Sequence, residues 1–191
     1  MGRTITKEEI STLEVEEFQG RIVLVDTFEA AEEAVKYLSS CTRLGFDTET
    51  RPAYKKGSVF GVALIQISTD EVCFLFRLNI IGFPDCLIQL LSNPDVQKVG
   101  LSLKDDYLSM SRRQKFTPQG FVDLQSIVPQ YDIAELSLQK VYALLFEKKI
   151  SKSQRLTNWE ADELTEAQQR YAALDAWACL KVYEKLISEE K

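Results

Sequence analysis

The chain has 191 residues, 45% of them hydrophobic and 27% charged, with a formal net charge of −6 and no histidine. That size and composition fit one soluble globular domain with a sizeable core, and no apolar run approaches the roughly 18–20 residues that a membrane span requires. Without histidine, Ser-His-Asp and Cys-His catalysis, HExxH zinc sites and every imidazole base are excluded, so chemistry must come from carboxylates, Tyr, Lys, Ser or bound metal.

In chain order, the N-terminus lacks the apolar stretch of a signal peptide, which gives the expectation of a cytoplasmic protein. Residues 6–18 read as a short amphipathic helix with Ile10, Leu13 and Phe18 on its apolar side. Residues 21–25 are a strand of apolar, mostly β-branched residues. Asp26 or Thr27 then caps a helix to about residue 40, with Ala30, Ala34, Val35 and Leu38 as core candidates.

Residues 42–50 form a second strand, in which Leu44, Phe46 and Thr48 share one face and Gly45, Asp47 and Glu49 the other. Taken alone, Asp-x-Glu is the ordinary pattern of a solvated strand face. A turn carrying Pro52, Gly57 and the cations Arg51, Lys55 and Lys56 leads to apolar strands at 60–68 and 71–76, which complete an antiparallel meander. A helix at 84–91 and a short strand at 96–100 precede a helix at 102–115. There Leu103, Tyr107 and Met110 mark the buried stripe, Asp106 borders it and Asp105 lies on the opposite side. The basic end of this helix, Arg112, Arg113 and Lys115, opposes the helix dipole or contacts phosphate.

Residues 121–128 begin extended and become helical, and Ser137 starts a helix through 146 with Leu138, Val141, Leu144 and Leu145 as its apolar face. Residues 148–158 are basic, with Lys148, Lys149, Lys152 and Arg155, and read as a loop near a site or as a surface turn. The chain closes with a long helix from about residue 164. On it Asp175 falls about 40° from Tyr171, inside the stripe that also holds Ala178 and Val182. A carboxylate buried there must be protonated, paired or bound to metal, because burying it unpaired costs several kcal/mol. Cys41, Cys73, Cys86 and Cys179 form no CxxC pair and read as buried reduced thiols. With no repeat or linker, the expected architecture is a single α/β domain, a mixed central sheet flanked by helices.

Asp47, Glu49, Asp106 and Asp175 thus share one signature, a carboxylate on or beside a face expected to be buried. Converging acids repel unless cations lie between them. An all-oxygen ligand set suits Mg²⁺ or Mn²⁺, and two such ions about 4 Å apart stabilise both the attacking and the leaving oxygen of a phosphodiester. The residues alone reach metal-dependent phosphoryl chemistry.

The segments Phe46-Asp47-Thr48-Glu49, Val99-Gly100-Leu101-Ser102-Leu103-Lys104-Asp105-Asp106 and Tyr171-Ala172-Ala173-Leu174-Asp175 resemble, in order and spread, the three motifs of the DEDDy 3′→5′ exonucleases. That family includes the Werner syndrome protein's exonuclease domain and ribonuclease D. Val62-Ala63-Leu64-Ile65-Gln66-Ile67 resembles its central strand, and Ser153-Gln154-Arg155-Leu156-Thr157-Asn158-Trp159 its segment ahead of the third motif. The resemblance implies a ribonuclease H-like fold, with a core at about 22–187 of a single domain spanning 1–191. It implies that Asp47, Glu49, Asp106 and Asp175 hold two divalent ions, that Tyr171 orients a water, and that nucleoside 5′-monophosphates are released from a 3′ end. The sister class uses His where this chain has Tyr171. Thr48, Lys56, Leu108 and Arg155 are the candidate substrate contacts. Leu108 stands where the Werner-like domain places an aromatic, a departure that weakens base stacking by roughly 1–3 kcal/mol. The chain ends soon after the third motif, without the helical domain that ribonuclease D appends, so DNA is the expected substrate over RNA. An RNA-trimming exoribonuclease and an inactive nucleic-acid-binding module are the alternatives, and no helicase or polymerase partner is specified.

Overall fold

The computed structural model describes residues 2–54 and 59–189, so Lys56, one of the expected substrate contacts, lies outside the described residues. The chain opens with α1 (Lys7–Thr12), begun by a capping box in which Thr6 and Glu9 exchange side-chain-to-backbone hydrogen bonds. The helix expected over 6–18 ends here. Leu13 is extended, and β1 (Glu14–Val15) pairs in parallel with residues 148 and 149. Glu16 then accepts from the Tyr142 hydroxyl at 2.9 Å and from Lys148 Nζ at 3.0 Å. Tertiary pairing overrides the helical periodicity: Ile10 is buried from α1, whereas Phe18 is buried from non-helical chain beyond β1.

The central sheet comprises β2 (Arg21–Val25), β3 (Arg43–Thr50), β4 (Val62–Ser68), β5 (Val72–Arg77), β6 (Gln97–Gly100) and β7 (Phe121–Asp123), in the order β2-β5-β4-β3-β6-β7. β3, β4 and β5 form the expected antiparallel meander. β6 and β7 extend it in parallel on one side and β2 on the other. Every residue of β4 and β5 is buried, the mark of central strands covered on both faces.

Beneath one face pack α2 (Phe28–Leu38), capped by Thr27, the short α3 (Leu78–Ile81), α4 (Asp85–Leu91) and α5 (Leu103–Arg113). On the other lie α6 (Leu124–Ile127), α7 (Leu138–Phe146) and α8 (Glu166–Ser188), with a 3₁₀ turn, Val128–Tyr131, after α6. The two-residue strand β8 (Lys148–Lys149) follows α7. All four cysteines are free; Cys73 and Cys179 are buried as expected, whereas Cys41 and Cys86 are only half-buried.

α8 begins at its own capping box, Thr165 with Gln168, and crosses the sheet above β3. The crossing is close because both surfaces are small. Ala172, Ala173, Ala176 and Ala178 are buried on α8, and a Cβ at Gly45 of β3 would collide with the Ala176 carbonyl. Since side chains alternate along a strand, Asp47 and Glu49 rise from the same face as Gly45, toward α8. β3 and β4 slip register between Glu49 and Thr50, a bulge of the kind that re-aims side chains at a strand end.

Lys98 is wholly buried, its ammonium donating to the carbonyls of Leu90 (3.2 Å), Asn93 (2.6 Å) and Val96 (2.7 Å), which ties the end of α4 to β6. Of the basic residues ending α5, Arg113 turns inward to donate to the carbonyls of Val62 and Leu78, whereas Arg112 stays exposed.

Candidate active site

Asp47 and Glu49 from β3 and Asp175 from α8 bring carboxylate oxygens within 4.8 Å of one another. Three acids so placed cannot all ionise cheaply, and their proton affinities record it. Burial, then repulsion from Asp175 and Asp106, pushes Glu49 up to about 9. Asp47 is raised well above the carboxylate range by burial and by Asp175, Asp106 and Glu49. Burial takes Asp175 to about 7, offset by its hydrogen bond with Tyr171 and by the Lys152 ammonium. An all-oxygen set of mutually repelling carboxylates is the donor chemistry of a hard divalent cation, so these residues fit the metal ions expected of them.

Asp106 is near this cluster without joining it. Its carboxylate accepts the Thr48 hydroxyl, and Thr48 points to the side of β3 away from α8. Burial raises Asp106 to about 6 while the Thr48 bond lowers it. Asp105 is exposed, as the helical wheel required.

Sequence reasoning missed the residue that sets α5 in place. Asp123, at the end of β7, accepts from the backbone N–H groups of Ser102 (2.9 Å) and Leu103 (3.0 Å), opening α5, and from Gln125 N (3.0 Å), opening α6. Ser102 holds a left-handed φ of 63°, which turns the chain sharply from β6 into α5. The available signal was positional: an Asp between a strand and a helical run is a cap.

Tyr171 lies one turn before Asp175 on α8 and hydrogen-bonds to its carboxylate. Its ring sits 6.0 Å from that of Trp159, which is fully buried. Burial and the neighbouring acids raise the phenol far above its usual range, so at neutral pH it is a hydrogen-bond donor and not a base.

These groups line a cavity of about 400 Å³ whose walls include Asp47, Thr48, Glu49, Tyr171 and Asp175 together with Lys152 and Arg155. A second hollow of about 390 Å³ lies beyond Thr48 and is bordered by Phe60, Asp106, Leu108 and Arg112. Of the expected substrate contacts, Arg155 stands in the first cavity, Leu108 is 52% exposed in the second, and Thr48 borders both while its hydroxyl serves Asp106.

A family model described as 3′-5′ exonuclease matches residues 22–190. The chain belongs to the 3′-5′ exonuclease family. Among curated relatives, the Mus musculus protein named bifunctional 3′-5′ exonuclease/ATP-dependent helicase WRN is 35% identical over 182 residues, covering 89% of this chain and 13% of its own length. An Arabidopsis thaliana 3′-5′ exonuclease is 31% identical, covering 75% of this chain and 52% of its own. The chain therefore spans at most about half the length of these two relatives. In three dimensions it resembles the Aedes aegypti Nibbler EXO domain, with a TM-score of 0.82 at 20% identity over 92% of each chain. It also resembles Escherichia coli RNase D, with a TM-score of 0.79 at 23% identity over 88% of this chain and 45% of that one. The fold of this family member is ribonuclease H-like: a mixed sheet flanked by helices in one domain.

Proposed function

We propose that this exonuclease-family chain hydrolyses nucleic acid stepwise from a 3′ end and releases nucleoside 5′-monophosphates, with DNA as its preferred strand. The observation that carries the reading is the three-carboxylate cluster of Asp47, Glu49 and Asp175, with a protonated Tyr171 one turn away. Two divalent ions, Mg²⁺ or Mn²⁺, held by these acids together with Asp106, would supply a water of lowered pKa and offset charge at the phosphate.

The protein's own groups do the rest. The Tyr171 hydroxyl donates its single proton to Asp175, which fixes the phenol oxygen as an acceptor for the attacking water and so the line of attack. Thr48 holds Asp106 at the opposite edge of β3. The cavity of about 400 Å³ has room for a terminal nucleotide, and two cations, Lys152 and Arg155, line it along with the acids. The preference for DNA leans on the identity to the helicase-linked mouse relative, 35% against 23% for the RNase D structure. An RNA substrate is the second reading, favoured by the likeness to Trypanosoma brucei RNase D in complex with RNA U12, a TM-score of 0.77 at 22% identity.

The test is digestion of matched single-stranded DNA, duplex DNA with a recessed 3′ end, and RNA, each labelled at either end, in Mg²⁺ or Mn²⁺. Mononucleotides released from the 3′ end, faster from DNA, support the proposal. Internal or 5′-end cleavage overturns it, and faster release from RNA overturns the DNA preference.

A further inference from the structure

Gln66 sits in β4, wholly buried, and neither its amide oxygen nor its amide nitrogen has a hydrogen-bond partner among the described residues. A buried amide with both polar atoms unpaired is costly, because it has given up water and gained nothing in return.

The register of the sheet defines its surroundings. Gln66 stands directly opposite Asp47 of β3 and directly opposite Leu75 of β5. Paired residues share a face, so Gln66 lies on the side of the sheet that α8 covers. Leu75 and, two residues back along β4, Leu64 offer no polar side-chain atom. Ser68, two residues on, already donates to the Thr69 carbonyl at 2.8 Å. The buried residues that α8 adds to this core include Ala172, Ala173, Ala176 and Cys179, of which only the thiol is a hydrogen-bonding group, and a weak one. Asp47 is left.

Asp47 lines the cavity, and its carboxylate accepts from the Thr48 backbone N–H. Gln66 is enclosed behind it, with no surface open to a substrate. Directly opposed residues hold their Cβ atoms about 4.5–5.5 Å apart, a gap that the longer glutamine side chain can span.

We propose that Gln66 is a positioning residue for Asp47: its Nε2 donates to the Asp47 carboxylate and fixes which oxygen is turned toward a divalent ion. The proposal rests on the metal site of the exonuclease reading above. An ionised, metal-bound carboxylate only accepts, so the amide must present its nitrogen to it. Arg77 Nε, diagonally opposite on β5 and also without a partner, only donates and suits the amide oxygen. Outer hydrogen bonds of this kind orient metal ligands, and losing one costs about 10–100-fold in metal affinity or activity.

Gln66→Met tests the proposal, since methionine keeps an unbranched side chain of similar length and removes both amide groups. The measurements are Mn²⁺ affinity by titration calorimetry, the metal-free melting temperature, and kcat and KM for 3′-end digestion at saturating Mn²⁺. Mn²⁺ affinity should fall about tenfold. The metal-free melting temperature should stay at or above that of wild type, because the variant no longer buries unpaired polar atoms. Turnover should fall about tenfold with KM within about threefold. Gln66→Leu, which also lacks the amide, should behave alike and takes the place of Gln66→Met if that variant does not fold. Mn²⁺ affinity within about twofold of wild type would overturn the proposal. So would a melting temperature that falls together with Mn²⁺ affinity in both variants, the mark of lost packing, or a raised KM at unchanged kcat, the mark of a substrate contact. Failure of the wild type to release mononucleotides from a 3′ end would instead defeat the exonuclease reading, and calorimetry would still decide whether Gln66 acts on the metal site.

Discussion

Thr48 and Asp106 are joined across β3: the hydroxyl of one donates to the carboxylate of the other, while Asp47 and Glu49, on either side of Thr48, face α8. One strand thereby positions acids on both of its faces. Thr48→Val keeps the shape and removes the donor. A hydrogen bond to a charged group is worth about 1.5–3 kcal/mol, so 3′-end digestion should slow by about tenfold or more, with Thr48→Ser near wild type. Equal rates for Thr48→Val and wild type would remove Thr48 from the site.

The acids make a pH prediction for the metal-free protein. Burial and mutual repulsion raise Asp106 to about 6, Asp175 to about 7 and Glu49 to about 9, with Asp47 also well above its usual value. Groups raised in the folded state favour folding most below their unfolded values near pH 4, and that contribution is lost as pH rises through 6 to 9. Metal-free stability should therefore fall from pH 5 to 8, and added Mn²⁺ should restore more of it at pH 8 than at pH 6, where protons compete for the ligands. Asp47→Asn should abolish digestion yet raise metal-free stability at pH 8 by about 1–2 kcal/mol. Melting curves across pH, with and without Mn²⁺, check all three statements; a flat metal-free profile would contradict the first.

Tyr171→Phe removes a hydroxyl that donates and leaves every carboxylate in place. Turnover should drop by about 10²-fold while Mn²⁺ affinity stays within a few-fold. Because the phenol titrates above its ordinary range, the wild-type rate should show no loss of a tyrosine proton below pH 10. Titration calorimetry for the metal and a pH–rate profile separate these effects.

Gly45→Ala tests the crossing of α8 over β3. The added methyl meets the Ala176 carbonyl, so the helix must lift, at a cost of about 1–3 kcal/mol. Asp175 moves with it. Melting temperature and digestion rate should fall together, and a drop in stability with a wild-type rate would show that Asp175 does not depend on the close crossing.

Asp123→Ala withdraws a carboxylate that opens two helices, α5 and α6, and should cost about 1–3 kcal/mol. Asp106 is in the first turn of α5, so the digestion rate should fall even at temperatures where the variant is fully folded. Asp123→Asn keeps one acceptor oxygen and should lose less of both.

The sheet and its helices were legible because their signals are local. Period-two alternation placed Asp47 and Glu49 on one face and Phe46 in the core, and helical spacing separated Asp106 from Asp105. The carboxylate of Asp175 was legible as an anomaly in an otherwise apolar stripe. What escaped was long-range. The N-terminal segment pairs with residues more than a hundred positions away, so its own periodicity misassigned it. The Asp123 cap on α5 spans about twenty residues and two elements, and no spacing rule joins those positions. The basic stretch 148–158 left two readings open, a loop near a site or a surface turn, and only the three-dimensional path brings Lys152 and Arg155 to the cavity while Lys148 and Lys149 are engaged elsewhere.

The N-terminal segment also bears on when the protein can become whole. Arg3 bridges to Ile133, β1 needs β8, and Glu16 needs Tyr142 and Lys148, so residues 3–16 have no partners until residues 133–149 fold against them. α8 comes later still, and it brings Asp175 to Asp47 and Glu49. Such non-local closure is slow relative to local helix formation. The repelling acids therefore meet only as α8 docks on β3, so the sheet must be in place before the acidic cluster is assembled.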